Sequence, residues 1–254
     1  MTATLWLVLV VGMKVVWLSA GVSSFIAGYL VRDTVDKWIY IDIADQHPDS
    51  MRFIKDCEKV VGMKVEILRS DEFNTVEEVA RKFKYINGVH GAPCTGMLKK
   101  KVRKAWENEH LDEQLTYVWG MDLNEKNRAE RLIESQPEYV HEFPLIDNNI
   151  SKQDAHAILD RLGIRRPTMY DLGFLNNNCI GCVKGGMWYW NQIRKHFPEV
   201  FEARSKMERD LGNTCLNGMY LDELPIDAGR KNDEISQDCG VMCYLALNDL
   251  GANQ

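Results

Sequence analysis

The stretch "VVWLSAGVSSFIAGYL" (15–30), preceded by "MTATLWLVLVVGMK" (1–14), admits two incompatible readings. Either it is the tail of a membrane-targeting segment, or it is a buried strand, a tight turn of small residues and a helix. A secretory signal wants a basic region ahead of its apolar core, and Met1 to Gly12 carries no side-chain charge. A spanning helix needs roughly 20 unbroken apolar residues. Here Lys14 divides the run, and Ser19, Gly21, Ser23 and Ser24 thin it further. The second reading follows. "KVVWL" (14–18) is a short β-branched strand, and Val22, Phe25, Ile26, Tyr29 and Leu30 recur at helical spacing. Residues 1–12 are then expected to be an apolar extension from an upstream start codon, and no membrane is expected as a partner.

The rest of the chain fits that choice. With 254 residues, 45% of them hydrophobic, it can bury a sizeable core. A net charge of -6 argues against a general nucleic-acid coat, which needs clustered Lys and Arg, and leaves room for a local basic patch. Seven cysteines stand at 57, 94, 179, 182, 215, 239 and 243, an odd number in a chain too long to need disulfides. The close pairs Cys179/Cys182 and Cys239/Cys243 point to metal or redox work in a reducing compartment, so a cytoplasmic location is expected.

Strand-like and helix-like segments alternate downstream. "KWIYIDI" (37–43) and "KVEIL" (64–68) read as buried strands, separated by a helix that starts at Pro48 and stops at Gly62. Thr75 and Glu78 are spaced as a capping box ahead of the apolar face Val76, Val79, Ala80 and Phe83. After Gly88 the pattern loosens, then "LTYVWGM" (115–121) returns as a fourth strand, followed by the helix "NEKNRAERLI" (124–133). Ser151 caps a helix whose buried face is Ala155, Ile158, Leu159 and Leu162. A loop-rich stretch from Gly163 to Gly186 carries the first cysteine pair. The aromatic helix "MWYWNQIRKHF" (187–197) and a charged helix over 199–211 follow, with Trp188, Tyr189 and Trp190 expected in the core. Strands alternating with helices predict a parallel sheet covered on both faces.

In such a sheet ligands bind beyond the carboxyl ends of the strands, where the turn into a helix offers backbone N–H groups and a positive dipole end. "SAGVSS" (19–24) falls there: its small residues admit close approach of an anion, and Ser19, Ser23 and Ser24 add hydroxyls. It matches neither GxGxxG nor the Walker pattern. It resembles instead the SGGxDS pyrophosphate loop of the adenine nucleotide alpha-hydrolase (PP-loop) superfamily, with Ala20 for the first interior Gly and Ser23 for Asp. Further elements resemble the phosphoadenosine phosphosulfate (PAPS) reductase branch. "YIDIADQHPDS" (40–50) is similar to its second-strand element, an acidic strand end followed by a His-Pro or Phe-Pro pair. "YVWGMDLNEKNRAERL" (117–132) is similar to its GxRxxES…R element and keeps Gly120, Glu125 and Arg128, with Asp122 where the first Arg would stand. "FPLIDNNISKQDAHAILDRLGI" (143–164) and "PTMYDLGFLNNNCIGC" (167–182) resemble the stretches that follow.

The resemblance runs over residues 13–190 and implies a doubly wound α/β domain of the PP-loop type with a cysteine-bearing, mostly helical region over 191–254. It implies an adenine nucleotide, ATP or PAPS, on Ser19, Gly21, Ser23, Ser24, Gly120 and Glu125, with Asp42 on a ribose hydroxyl or on a Mg²⁺ ion. Arg128 would clamp phosphate or sulfate through its fork, and Lys99, first of the basic run 99–104, would face the substrate's anionic groups. In the iron-sulfur members a CC pair and a distant CxxC hold a 4Fe-4S cluster. Here Cys94, Cys179 and Cys182 match three ligands, Thr95 replaces the fourth, and zinc is the alternative metal. "QDCGVMC" (237–243) is similar to the reductases' ECGLH, which implies Cys239 as nucleophile although Met242 replaces the His. The activity implied is either reduction of a sulfonucleotide with a thiol reductant, or cleavage of ATP to AMP and pyrophosphate for sulfur transfer from a donor, with nucleic acid as an acceptor. The alternative is a non-catalytic nucleotide-binding module.

Overall fold

The computed structural model describes residues 12–88 and 91–231. Five parallel strands lie in the order β3-β2-β1-β4-β5: β1 (Gly12–Leu18), β2 (Lys37–Ile41), β3 (Val65–Leu68), β4 (Gln114–Val118) and β5 (Val140–Glu142). The first step of the chain runs from β1 to β2 and β3 on one side, and the later strands add on the other. The topological switch therefore falls beside β1.

Strand periodicity of two divides β1 between two cores. Val16 and Leu18 meet α1 (Val22–Leu30) and α2 (Asp49–Val61), with Trp38, Tyr40 and Phe53 in the same cluster. Val15 and Trp17 face the other way, into a cluster with Tyr117 and Trp119. Both faces are covered, as an all-parallel sheet requires. The N-terminal signals act as expected: α3 (Val76–Phe83) begins at Thr75 with its Glu78 capping box, and α2 ends on Gly62 in the left-handed region at φ 70°.

Two parts differ from the sequence expectation. The loosened stretch after Gly88 is helical over 93–108: α4 (Pro93–Thr95), a π turn (Gly96–Lys100) and α5 (Lys101–Asn108). The π turn shifts the side-chain phase by a residue, so no single 3.6-residue stripe runs through it. β5 was not expected as a strand, since three residues are too few to show a period. α6 (Lys126–Ser135) connects β4 to β5 and adds Ala129 and Leu132 to the cluster around Trp17.

Past β5 the chain forms α7 (Pro144–Asp147), α8 (Lys152–Arg161), α9 (Thr168–Asp171), α10 (Met187–His196) and α11 (Pro198–Leu211). Ser151 caps α8 with Asp154 as its box partner, and Ala155 and Leu159 are fully buried against α1. Tyr189 and Trp190 of α10 are fully buried in a third core shared with α3, Phe174, Phe201 and Met207. Among the described residues no helix is long and apolar enough to cross a membrane. Residues 1–11 lie outside the described residues.

A buried ion pair ties this third core to the sheet. Arg204 of α11 is 4% exposed; it pairs with Asp45 just beyond β2 and donates to the Gly181 carbonyl at 3.4 Å. Asp45 also accepts from the Val76 N–H at the start of α3, at 2.7 Å. Replacing Arg204 with Met leaves Asp45 without its countercharge in a low-dielectric setting. A loss of about 3 kcal/mol is expected, read as a lower urea midpoint at unchanged slope.

Candidate functional site

β1 ends at Leu18, and Ser19, Ala20 and Gly21 turn the chain into α1 at the switch point. Ala20 is fully buried and left-handed at φ 55°, a conformation that costs an L-residue about 1 kcal/mol or more. The three expected hydroxyls separate into two roles. Ser24 is a brace: its hydroxyl donates to the Gly21 carbonyl at 3.0 Å and accepts from the Ser19 N–H at 3.1 Å. Ser19 is exposed and Ser23 half-buried, so their hydroxyls are the ones within reach of a ligand. The first turn of α1 carries no acidic side chain, and no side chain of the Gly21 N-cap closes it. Its N–H groups and dipole are therefore not neutralised by a local carboxylate. The Val22 N–H is met by the Tyr170 hydroxyl at 3.3 Å.

Gly120 belongs here for a steric reason. A Cβ on it would lie 2.4 Å from the Ser24 backbone N and Cα, so only glycine lets the end of β4 touch the first turn of α1. Just beyond, Asp122 is 7% exposed; its carboxylate accepts from the Asn124 N–H at 2.8 Å, and Glu125 accepts from the Asp122 N–H at 3.0 Å. Glu125 also pairs with Arg128. The residue that departs from the family's Arg thus works as a cap for the turn that carries Glu125. Asp42, at the end of β2, holds the Arg69 guanidinium through Nε at 2.9 Å and Nη2 at 2.6 Å.

Four of the cysteines gather in one place, and Cys57 lies apart in the cluster around Phe53. Cys94, Cys179, Cys182 and Cys215 are all buried in the third core. The Tyr189 hydroxyl donates to the Cys179 carbonyl at 2.6 Å and accepts from the Cys182 N–H at 2.9 Å, which sets the turn between the pair. Ile180 donates to the Asp45 carbonyl at 2.7 Å. Burial pushes the Cys215 thiol well above its ordinary pKa and the neighbouring Glu208 carboxylate reinforces it. Among the described residues no three His, Cys, Asp or Glu side chains converge as a metal site. Cys239 and Cys243 lie outside the described residues.

The basic run is divided between core and surface, with Lys101 and Lys104 exposed. Lys100 and Arg103 are buried, Arg103 donates to Gln136 at 3.1 Å, Lys101 pairs with Glu72 at 2.5 Å, and Lys104 lies 3.6 Å from Glu107. Lys99 is half-buried in the π turn that follows Cys94.

Three contributors escaped the sequence reading. Tyr170 holds the start of α1, Arg69 covers Asp42, and Asn177 donates to the Ala20 carbonyl at 2.8 Å. The polar triplet Asn176–Asn178 ahead of Cys179 was the one visible hint, because three amides in a loop beside a buried cysteine pair need partners.

No protein-family model matches the chain, and no curated protein matches it. Among solved structures it is similar to phosphoadenylyl-sulfate (PAPS) reductase from Candida auris, in a phosphate complex, at 16% sequence identity and a TM-score of 0.49. The match covers 68% of this chain and 84% of that one. A likeness of that extent transfers no ligand or activity.

The ring of His156 packs edge-on against Tyr170, centroids 4.8 Å apart. Burial, then the charges of Arg166 and Lys152, hold its pKa below the usual histidine value. The folded chain thus prefers the neutral ring, and the unfolded chain takes up the proton first. This contribution is whole above about pH 6.5 and is lost as pH falls below it. Urea unfolding over that range should show a shallower fall in stability for His156→Gln than for the wild type; equal slopes would refute the assignment.

Proposed function

We propose that this chain binds an adenine nucleotide through its phosphates at Ser19–Ser24 and acts in sulfur metabolism. The observation that carries the reading is the position of that loop. It lies at the carboxyl end of a central parallel strand, beside the switch point, where the first turn of α1 carries no acidic side chain. An anion there would be met by backbone N–H groups and by the Ser19 and Ser23 hydroxyls. Asp42 and Arg69 stand at the neighbouring strand ends, suited to a ribose hydroxyl and a phosphate respectively, or to a Mg²⁺ ion held by Asp42 with the pyrophosphate.

Two reactions suit the bound nucleotide: reduction of a sulfonucleotide to sulfite by a thiol, with Cys239 as nucleophile, and cleavage of ATP to AMP and pyrophosphate ahead of sulfur transfer. Lys99 and Arg128 would steady the anionic groups in either case. The full chain is incubated with ATP and Mg²⁺, or with PAPS and a dithiol, and pyrophosphate and sulfite are measured. Release of pyrophosphate assigns the cleavage and release of sulfite the reduction. Tight binding without turnover supports a nucleotide-binding module in their place, and no binding of either nucleotide overturns the proposal.

Gly120→Ala tests the geometry of the same site. The added Cβ meets backbone, so the first turn of α1 must shift. Affinity for ATP, read by calorimetry, should fall at least about tenfold, a loss of about 1.4 kcal/mol.

A further inference from the structure

Asn177 is 7% exposed, and its side-chain amide spans two segments. Nδ2 donates to the Ala20 carbonyl at 2.8 Å and to the Ser50 hydroxyl oxygen at 3.0 Å. The amide orientation is settled by chemistry, since a carbonyl can only accept and the NH₂ end must face it. The amide oxygen has no partner among the described residues. Asn177 is thus held toward the loop by its donor end alone.

Ala20 is the residue most in need of such a hold. It is left-handed at φ 55° and completely buried, and no glycine relieves the strain there. The peptide that joins Ala20 to Gly21 is planar and trans, so its carbonyl and its N–H point to opposite sides. With the carbonyl turned to buried Asn177, the Gly21 N–H is turned away from it. Gly21 itself is extended, at φ -103° and ψ 160°, and leads directly into the first turn of α1.

We propose that Asn177 is the positioning residue of the Ser19–Ser24 loop: its bond to the Ala20 carbonyl maintains the left-handed turn and directs the Gly21 N–H toward a bound phosphate. This rests on the reading of the loop as an anion site. Asn177 stands two residues before Cys179, so the same bond anchors the cysteine-bearing segment to the loop across 157 residues of chain. Loss of the donor would free the 20–21 peptide to rotate. Loss of Ser50 would leave the Ala20 bond in place.

The test uses the full chain and two readouts. Hydrogen exchange of the peptide over 18–26 is followed without ligand, and inorganic pyrophosphate is titrated by calorimetry. In Asn177→Leu the exchange of that peptide and the pyrophosphate dissociation constant should each rise at least about tenfold, while peptides from α6 keep their protection. Ser50→Ala should change both by less than about twofold. Glycine takes the left-handed conformation without penalty, so Ala20→Gly combined with Asn177→Leu should bind pyrophosphate more tightly than Asn177→Leu alone. A purely space-filling Asn177 would show no such rescue. Should Asn177→Leu not fold, Asn177→Asp keeps the shape and replaces the donor with an acceptor, and the same outcomes apply. Wild-type exchange in the variant, or an effect of Ser50→Ala equal to it, overturns the proposal. A wild type that binds no pyrophosphate defeats the proposed function, and the exchange result still decides the role of Asn177.

Discussion

The contact of Gly120 with the backbone of Ser23 and Ser24 governs the geometry around the site. Because a Cβ at 120 would come within 2.4 Å of that backbone, the end of β4 and the first turn of α1 can approach only with glycine between them. β4 is the strand laid beside β1 on the far side of the switch, so the contact closes the crevice where two directions of winding part. The loop from Ser19 to Gly21 is held from below by the strand, from one side by Gly120, and from another by Tyr170 and Asn177. Each comes from a different part of the chain. A turn braced in this way keeps its backbone N–H groups in one arrangement before any ligand arrives, which reduces the ordering cost of binding.

The charged side chains near the site are mostly engaged with one another. Asp42 holds Arg69, Glu125 holds Arg128, and Asp122 spends its carboxylate on a turn. Of the run after Cys94, Lys101 answers to Glu72, Lys104 to Glu107 and Arg103 to Gln136. An anion at the loop would meet dipoles and hydroxyls ahead of a dense cluster of cations. Such a site favours phosphate by geometry and suffers little from salt screening, since the N–H groups are part of the backbone.

The cysteine-bearing segment is set by groups that lie outside it. Arg204 from α11, Asp45 from beyond β2 and Tyr189 from α10 fix the turn between Cys179 and Cys182. A Cβ on Gly181 would lie 2.7 Å from Val200 and 3.5 Å from Arg204, and the residue is left-handed at φ 71°. The family resemblance implied a shared ligand set for Cys94, Cys179 and Cys182. Packing gives them a core shared with Cys215.

The sequence by itself determined the strands of the central sheet, the capped helices and the place of the small-residue loop, because each depends on neighbours within about four residues. β-branched runs, the Thr75 and Ser151 boxes, Gly62 and "SAGVSS" are all local signals, and each lies where it was expected. The helix over 93–108 was hidden by a π turn that breaks its period and by Lys100 and Arg103, charged residues that the fold buries. β5 was hidden by its length. The tertiary structure alone decided which polar groups serve the loop. That Asp42 meets Arg69 and that Asn177 reaches Ala20 across 157 residues are contacts made across the fold, and no periodicity in the chain encodes them.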